Sequence, residues 1–195
     1  MDKSSVRARR EGLRARSAYK LKELNKKYQF LAKANSILDL GSWPGGWSIV
    51  AARFGHVTAV DLTRMHPVDN CTFIQGDLYD QEVLDQLPVA DVVLSDAAPK
   101  TAGDSRDQYK SYLLCVRALE IALLRLKKGG SFVVKIFQGE DFDAYLAEVR
   151  KHFDFVKCTK PPTSRNESKE IYIVGMGFRG RTEGYEEYKR LLEGD

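Results

Sequence analysis

Short apolar runs that alternate with segments of helical periodicity are the feature of this sequence that most restricts its fold. The runs expected to form strands are Ser36–Leu40, Val57–Asp61, Thr72–Gln75, Ala90–Ser95, Ser131–Phe137, Phe153–Thr159 and Glu170–Met176. The segments expected to form helices are Trp47–Phe54, Leu78–Leu87, Gln108–Leu126 and Phe142–His152. Because strands alternate with helices, the order predicts a parallel sheet covered by helices on both faces.

The last two expected strands are joined differently from the others. Only the loop of residues 160–169 connects them, which leaves no room for a crossover helix. We therefore expect them to form an antiparallel pair at one edge. The predicted fold class is α/β, with a Rossmann-like seven-stranded sheet that is mostly parallel and has one antiparallel edge strand.

The positive charge of the chain is concentrated at its N-terminus. The net charge is +4, but residues 1–33 contain eleven Lys and Arg against three acids and so carry +8. The rest of the chain carries −4. A basic segment on a mildly acidic body indicates a polyanionic partner, although a merely solvated arm would have the same composition.

The chain is expected to divide into three segments. We expect residues 1–16 to form a flexible basic arm, because they are polar and lack apolar periodicity. Residues 17–178 are expected to form one domain that begins with a helix capped by Ser17. The apolar stripe of that helix is formed by Leu21, Leu24, Tyr28 and Leu31. Residues 179–195 are a charged tail with a short helix expected around residues 185–192.

Several classes of protein are disfavoured. No apolar run approaches the ~20 residues of a membrane span, and Lys and Arg interrupt residues 1–30, so a cytoplasmic protein without a membrane partner is expected. The cysteines Cys71, Cys115 and Cys158 are widely spaced, and the three histidines are scattered. Because neither set has the spacing of a zinc site, no metal is expected. The chain is expected to be a monomer.

The turn after the first expected strand is rich in glycine. Asp39 ends that strand, and the turn reads Gly41-Ser42-Trp43-Pro44-Gly45-Gly46-Trp47. Ligands of parallel sheets bind outside the carboxyl ends of the strands, where glycines let the backbone approach them. The pattern Asp-x-Gly-x-x-x-Gly is similar to the first motif of S-adenosylmethionine methyltransferases and differs from the dinucleotide fingerprint GxGxxG.

Acidic residues also follow the next strands. Asp61 ends the second strand, where a carboxylate can accept both ribose hydroxyls of a nucleoside cofactor. Asp77 follows the third strand and is placed to contact an adenine amino group. Each acid alone has an alternative interpretation as a cap or turn residue. Trp47 either lines the pocket or anchors its helix in the core.

Lys135 is an unusual residue for its position. It lies inside the apolar run Ser131–Phe137, although an unpaired ammonium is costly to bury. The alternative is a strand-end lysine that extends to water. Asp96 follows the fourth strand, where it either lies next to the substrate or caps the loop before Pro99. Lys20 and Glu170 alone would be ordinary surface residues.

Taken together, these motifs resemble the FtsJ (RrmJ) family of heat-shock-linked ribosomal RNA 2′-O-methyltransferases, from about Arg16 to Gly177. The matching segments are RSAYKL (16–21), DLGSWPGGWS (39–48), QGDLYD (75–80), LSDAAP (94–99), GGSFVVKIFQGEDFDAYL (129–146) and KPPTSRNESKEIYIV (160–174). The resemblance implies an S-adenosylmethionine methyltransferase fold and methyl transfer to a ribose 2′-hydroxyl of RNA. The expected target is a uridine of large-subunit ribosomal RNA, and the tRNA anticodon loop is an alternative.

The resemblance also implies roles for individual residues. The family's catalytic tetrad corresponds to Lys20, Asp96, Lys135 and Glu170. Lys135 would be the principal catalytic residue, because a buried lysine whose pKa is lowered can take a hydroxyl proton. Asp96 and Lys20 would orient Lys135 and tune its charge, and Glu170 would position the nucleotide or support the lysine pair.

Cofactor binding is expected from the glycine turn and from the strand ends. The expected residues are Asp39, Gly41, Gly45, Trp47, Asp61, Asp77 and Asp96. The chain departs from the family pattern at Ser42-Trp43, where relatives often carry small residues, and Trp43 is expected to narrow the pocket mouth. RNA contacts are expected from Arg7, Arg9, Arg10, Arg14, Arg16 and Lys22, and from a second basic stretch that includes Lys157, Lys160, Arg165 and Lys169.

Other activities fit the sequence less well. Amino-nitrogen methyltransferases carry an Asn/Asp-Pro-Pro-aromatic motif where this chain reads Asp96-Ala97-Ala98-Pro99. Carbon-5 pyrimidine enzymes need a nucleophilic cysteine at the site, and neither Cys115 in a helix nor Cys158 in an edge strand fits. A non-catalytic RNA-binding protein would be indicated by a missing tetrad residue or a filled glycine turn, and neither is seen.

Overall fold

The computed structural model of the chain describes residues 17–98, 105–164, 169–182, 184–186 and 190. In chain order its elements are α1 (Ser17–Tyr28), β1 (Ser36–Leu40), α2 (Gly46–Ala51), β2 (His56–Asp61), β3 (Cys71–Gln75), α3 (Gln81–Gln86), β4 (Ala90–Ser95), α4 (Ser105–Arg125), β5 (Leu126–Phe137), α5 (Phe142–His152), β6 (Phe153–Thr159) and β7 (Glu170–Phe178). All seven expected strands are present, and the expected helices are found between them.

The strands form one seven-stranded sheet in the order β3-β2-β1-β4-β5-β7-β6. Strands β1 to β5 pair in parallel, and β7 pairs antiparallel with both β5 and β6. The α/β fold class and the antiparallel pair at one end of the sheet are therefore confirmed. The expected position of the antiparallel strand needs one correction, because β7 lies one place inside the edge and β6 is outermost.

The burial of the two strands explains this order. β7 is apolar on both faces, and its segment from Tyr172 to Gly175 is buried. β6 is mostly half-buried or exposed after Phe153. A strand with two apolar faces needs a neighbour on each side and helices above and below, whereas a partly polar strand tolerates the edge. Gly175 contributes to this packing, because a Cβ there would lie 2.9 Å from the Phe153 ring.

Several element boundaries also differ from the expected ones. α2 and α3 are shorter than expected, because turns take up their terminal residues. β5 begins at Leu126, five residues before the expected Ser131, and α4 ends at Arg125. The register of β5 against β4 shifts between the Ala90–Leu126 and Val92–Ser131 pairs. The extra residues form an irregularity in which Gly129 has φ +79, so Gly129 and Gly130 lie within the strand and not at the end of α4.

Helices cover both faces of the sheet. On one face, α1 and α2 bury Leu21, Leu24 and Trp47 against β1, β2, β4 and β7. On the other face, α3, α4 and α5 pack against a second apolar cluster that includes Leu119 and Tyr145. The expected apolar stripe lies on α1 up to Tyr28, since Leu21 and Leu24 are buried and Tyr28 is half-buried; Leu31 is buried too, but it lies in the turn after the helix ends. Among the helices that the structure describes, none combines the length and the apolar character needed to cross a membrane.

Candidate active site

A cavity of about 750 Å³ opens at the carboxyl ends of β1, β2, β3 and β4. Most of its wall is apolar, and three carboxylates from three strand ends provide its acidic groups. The lining residues are Gly41, Trp43, Val60, Asp61, Leu62, Thr63, Gly76, Asp77, Leu78, Asp96, Ala97, Ala98 and Leu114. Four of the expected cofactor residues, Gly41, Asp61, Asp77 and Asp96, are therefore in its wall. Its size and mixed lining are those of a small-molecule site.

The glycine turn holds the backbone against the cavity. Gly41 has φ +75, and a Cβ there would lie 2.6 Å from Cβ of Ala97. The amides of Gly41 and Ser42 both donate to the carbonyl of Val60, at 2.9 and 3.0 Å. Gly45 has φ +103 at the start of α2. Residues other than glycine rarely adopt these φ values, so the turn depends on its glycines.

Asp61 fixes the mouth of the cavity and keeps capacity for a ligand. Its two carboxylate oxygens accept hydrogen bonds from the amides of Trp43, at 3.0 Å, and Thr63, at 2.7 Å. Asp77 accepts from the amide of Tyr79 at 3.0 Å. Since each carboxylate oxygen can accept more than one hydrogen bond, both acids can also bind donors of a bound molecule. Trp43 lies in the wall and is 55% exposed, in keeping with its expected place at the mouth.

Asp39 lies beneath the turn and not in the cavity wall. Its side chain is fully buried, and Ser48 Oγ on α2 donates to its Oδ2 at 2.5 Å. Burial, reinforced by the neighbouring carboxylates of Asp96 and Asp61, raises the pKa of Asp39 to about 7. In this position Asp39 joins the end of β1 to α2, so its side chain supports the turn from below.

The Trp47 side chain also lies outside the cavity wall. It is 2% exposed, its indole N–H donates to the carbonyl of Ser17 at 2.9 Å, and its ring lies 5.8 Å from that of Tyr172. Of the two interpretations that the sequence left open, the geometry favours the anchor, because the ring fixes the start of α1 to the core. Because its ring is buried outside the cavity wall, Trp47 can contact a bound molecule only through its backbone.

Lys135 meets Asp96 at the inner end of the cavity. Its Nζ lies 3.2 Å from Oδ1 of Asp96 and donates to the Asp96 carbonyl at 2.9 Å. The lysine is 6% exposed, so its ammonium is compensated by these contacts. Lys135 is therefore buried, as its apolar run in the sequence suggested, and its ammonium contacts a carboxylate in the cavity wall.

The other two expected tetrad residues form a second ion pair nearby. Lys20 Nζ on α1 lies 2.9 Å from Oε2 of Glu170 at the start of β7. The same ammonium lies 5.7 Å from the ring centroid of Tyr172, whose hydroxyl donates to Oδ1 of Asp96 at 3.1 Å. Four residues from α1, β4, β5 and β7 are thus brought into one connected group.

Tyr172 is the member of this group that the sequence analysis missed. It pairs with Lys135 across β5 and β7 and lies two residues after Glu170, on the same side of its strand. Burial raises the pKa of its hydroxyl, and the carboxylates of Asp96 and Glu170 raise it further, so the hydroxyl remains a donor. The sequence contained one indication of this position, because a residue two places after Glu170 in a strand points to the same side. A tyrosine in an apolar strand, however, equally predicts core packing.

Cys115, on α4, contacts the backbone of Lys135. Its thiol donates to the carbonyl of Lys135 at 3.0 Å, and burial raises its pKa to about 12. A thiol with such a pKa is not a ready nucleophile, which agrees with the sequence argument against a cysteine mechanism. Among the residues that the structure describes, no group of three or more His, Cys, Asp or Glu could hold a metal ion.

Four of the expected RNA-contacting residues can be located, and two of them, Lys157 on β6 and Lys169 just before β7, are exposed. Lys22 lies on α1 with its Nζ 5.4 Å from the Tyr19 ring centroid, and Lys160 is exposed after β6. The loop after Lys160 is attached to α1, because the amide and hydroxyl of Thr163 both donate to the carboxylate of Glu23. The remaining candidates, Arg7, Arg9, Arg10, Arg14, Arg16 and Arg165, lie outside the described residues.

Comparisons with known proteins agree with this fold. A family model described as FtsJ-like methyltransferase matches residues 13–178. Proteins named ribosomal RNA large subunit methyltransferase E are 43% identical in Pseudomonas fluorescens, over 90% of both chains, and 44% identical in Archaeoglobus fulgidus, over 89% of this chain and 94% of that one. A crystal structure from Plasmodium falciparum, titled as a ribosomal RNA methyltransferase, has a TM-score of 0.74 at 31% identity and covers 86% of this chain and 100% of that chain. With matches over most of its length, the chain belongs to the FtsJ-like methyltransferase family.

Proposed function

We propose that this protein transfers the methyl group of S-adenosylmethionine to a ribose 2′-hydroxyl of large-subunit ribosomal RNA, at a uridine, in the cytoplasm. The observation that carries the proposal is the contact of the buried Lys135 ammonium with Asp96 at the inner end of the cavity. This contact puts a group able to exchange protons beside a site suited to a nucleoside cofactor. The relatives whose names specify ribosomal RNA of the large subunit support the choice of substrate.

The cavity fits the cofactor in its chemistry and in its close backbone approach. Asp61 has capacity for the ribose hydroxyls and Asp77 for the adenine amino group, while Leu62, Leu78 and Leu114 offer apolar walls for the base. A Cβ at Gly41 would collide with Ala97, so the narrowest part of the turn requires glycine. When bound, S-adenosylmethionine supplies an electrophilic methyl group on a positively charged sulfur.

The tetrad residues then have separate tasks. Lys135 Nζ accepts the proton of the 2′-hydroxyl, because a hydroxyl that keeps its proton is a poor nucleophile. Asp96 holds Nζ through its carboxylate and its backbone carbonyl and so fixes the direction of approach. Tyr172 orients the Asp96 carboxylate, and the pair of Lys20 with Glu170 supports this arrangement from the neighbouring strand and helix.

The basic segments would bring the RNA to this group. Residues 1–16 form the proposed RNA-contacting arm of the domain 17–178, on the strength of the +8 charge of residues 1–33. Glu23 follows Lys22 on α1, and Thr163 lies in the loop after Lys160. Because the Thr163 amide donates to the Glu23 carboxylate, the two basic stretches are held next to each other. Single-stranded or looped RNA suits such a site, because its sugars are accessible.

Replacement of Lys135 tests the proposal. Lys135→Ala and the bulkier Lys135→Met should lower methyl transfer to unmodified ribosomal RNA by about 100-fold or more. Binding of S-adenosylmethionine, measured by equilibrium dialysis, should change little. Lys127→Ala is a matched control, because this lysine lies on the same strand, is 48% exposed and pairs with Asp91 at 2.8 Å, away from the tetrad.

The position of the methyl group tests the substrate. Ribose-methylation mapping of ribosomal RNA and tRNA treated with the protein should give one new 2′-O-methyl group in large-subunit ribosomal RNA. Methylation of a base, or of tRNA alone, would overturn the assignment. Substantial turnover by both Lys135 variants would remove this lysine from the catalytic role.

A further inference from the structure

A second cavity, of about 470 Å³, lies at the carboxyl end of β5. Helix α4 forms one side of it, and the end of β5 with the connection to α5 forms the other. The lining residues are Tyr109, Tyr112, Ile136, Phe137, Gln138, Gly139, Glu140, Asp141, Phe142 and Lys169. None of these residues is in the wall of the larger cavity.

This second cavity adjoins the tetrad through the chain itself. Ile136 and Phe137 directly follow Lys135 on β5, and Lys169 directly precedes Glu170. Phe137 pairs with Glu170 across β5 and β7, and the amide of Gln138 donates to the carbonyl of Lys169 at 3.0 Å. The first cavity reaches the tetrad at Asp96, and the second borders it at Lys135 and Glu170. The second cavity therefore opens at the same end of the sheet as the tetrad, beside the paired ends of β5 and β7.

The lining of the second cavity suits a flat, polar-edged molecule. Tyr109 is 54% exposed although it is aromatic, and its ring lies 6.4 Å from that of Tyr112. Phe137 adds a half-buried ring from the strand end. Gln138 offers both an amide donor and an acceptor, and Glu140 offers a carboxylate acceptor. Rings combined with such groups bind an unstacked base on its face and along its hydrogen-bonding edge.

The charges of the lining argue for a base and against a phosphate. Glu140 and Asp141 are both exposed acids in the wall, and carboxylates repel a phosphate group. Carboxylates do accept hydrogen bonds from ring and exocyclic N–H groups of a base. Lys169, beside Glu170 at the border of the tetrad, is the one cation in this lining and is available to the adjoining backbone phosphate.

We propose that this second cavity holds the nucleobase of the nucleotide whose ribose is methylated, turned out of its stack and placed against Tyr109. This inference rests on the proposed methylation of RNA and adds the site that positions the target base. Stacking on Tyr109 would fix the sugar relative to Lys135, and Gln138 and Glu140 would select among bases by their hydrogen-bonding edge.

Variants of Tyr109 test the inference on the full-length protein. Tyr109→Ala should raise KM for unmodified large-subunit ribosomal RNA by at least about fivefold, the lower end of the effect of losing one stacked base. Tyr109→Phe keeps the ring and should retain near wild-type KM. Phe54→Ala is the matched control, because Phe54 is also an exposed aromatic residue, at 44%, but precedes the amino end of β2, away from the carboxyl ends of the strands where the second cavity lies. S-adenosylmethionine affinity should be equal in all three variants.

A crosslinking experiment identifies the occupant directly. RNA that carries 4-thiouridine at the methylated position should, on irradiation, crosslink to peptides containing Tyr109 or residues 137–142, and the yield should fall in Tyr109→Ala. Normal KM in Tyr109→Ala, or crosslinks confined to other segments, would overturn the base site while leaving methylation intact. Failure of the wild-type protein to methylate any RNA would overturn the proposed function, and the base site with it.

Discussion

Replacing the buried Asp39 by asparagine should remove a pH dependence from the stability of this protein. Burial raises the pKa of Asp39 from 3.8 to about 7 in the folded state. Between these pH values the folded protein holds a proton on this carboxyl that the unfolded chain has lost. The free energy of unfolding therefore falls as pH rises through this window, and the contribution of Asp39 is constant below about pH 4 and above about pH 7.

The size of the effect follows from the same shift. One pH unit inside the window corresponds to about 1.4 kcal/mol for a single proton. Between about pH 5 and about pH 8 Asp39 alone should lower the free energy of unfolding by roughly 2 to 3 kcal/mol. Asparagine cannot ionise, so Asp39→Asn should lack this component, while its oxygen can still accept the Ser48 hydrogen bond.

Urea unfolding followed by tryptophan fluorescence at both pH values measures this component. Asp91→Asn is the control: partial burial raises the pKa of Asp91, but hydrogen bonds from Lys127, Ser36 and Asn35 outweigh it and hold the pKa below its usual value. Asp91 is then ionised in both states across the whole range, so its replacement should cost the same stability at either pH. An equal difference between wild type and Asp39→Asn at the two pH values would refute the raised pKa.

Three further perturbations have defined outcomes. Gly41→Ala should weaken S-adenosylmethionine binding at least about tenfold and lower Tm, because alanine is strained at φ +75 and its Cβ would collide with Ala97. Unchanged affinity in equilibrium dialysis would contradict this. Glu23→Ala should increase amide hydrogen exchange at residues 160–164, since Thr163 loses its partner on α1; unchanged protection in mass spectrometry would show that other contacts hold the loop. Deleting residues 1–14 should weaken RNA binding and flatten its salt dependence, and an equal slope of affinity against salt would exclude phosphate contacts by this segment.

Tyr172 connects the stability of the fold to the arrangement of the tetrad. Its ring packs against Trp47, its hydroxyl holds Asp96, and the Lys20 ammonium lies near its face. Trp47 in turn fixes the start of α1, the helix that carries Lys20. The residues expected to do the chemistry are therefore held by side chains whose own positions are set by core packing, which restricts their motion.

The sequence by itself determined the elements and the types of residue at the site. The central strands were visible as short apolar runs, because burial on both faces leaves a local record of apolar residues, whereas the edge strands β3 and β6 are only partly buried. The glycine turn and the acids at strand ends were also visible, because glycine marks positions of positive φ and the end of an apolar run marks the end of a strand. Lys135 could be singled out because a lysine inside an apolar run conflicts with its surroundings.

Tertiary structure alone decided which strands are neighbours and which side chains meet. The position of β7 between β5 and β6 depends on pairing with segments far along the chain, and no local pattern specifies those partners. The same holds for Asp39 and Trp47, whose side chains lie beside the cavity wall and not in it, and for Tyr172, whose contact with Asp96 joins β7 to β4. Periodicity reports that a residue is buried, whereas the packing of the whole chain determines what it is buried against.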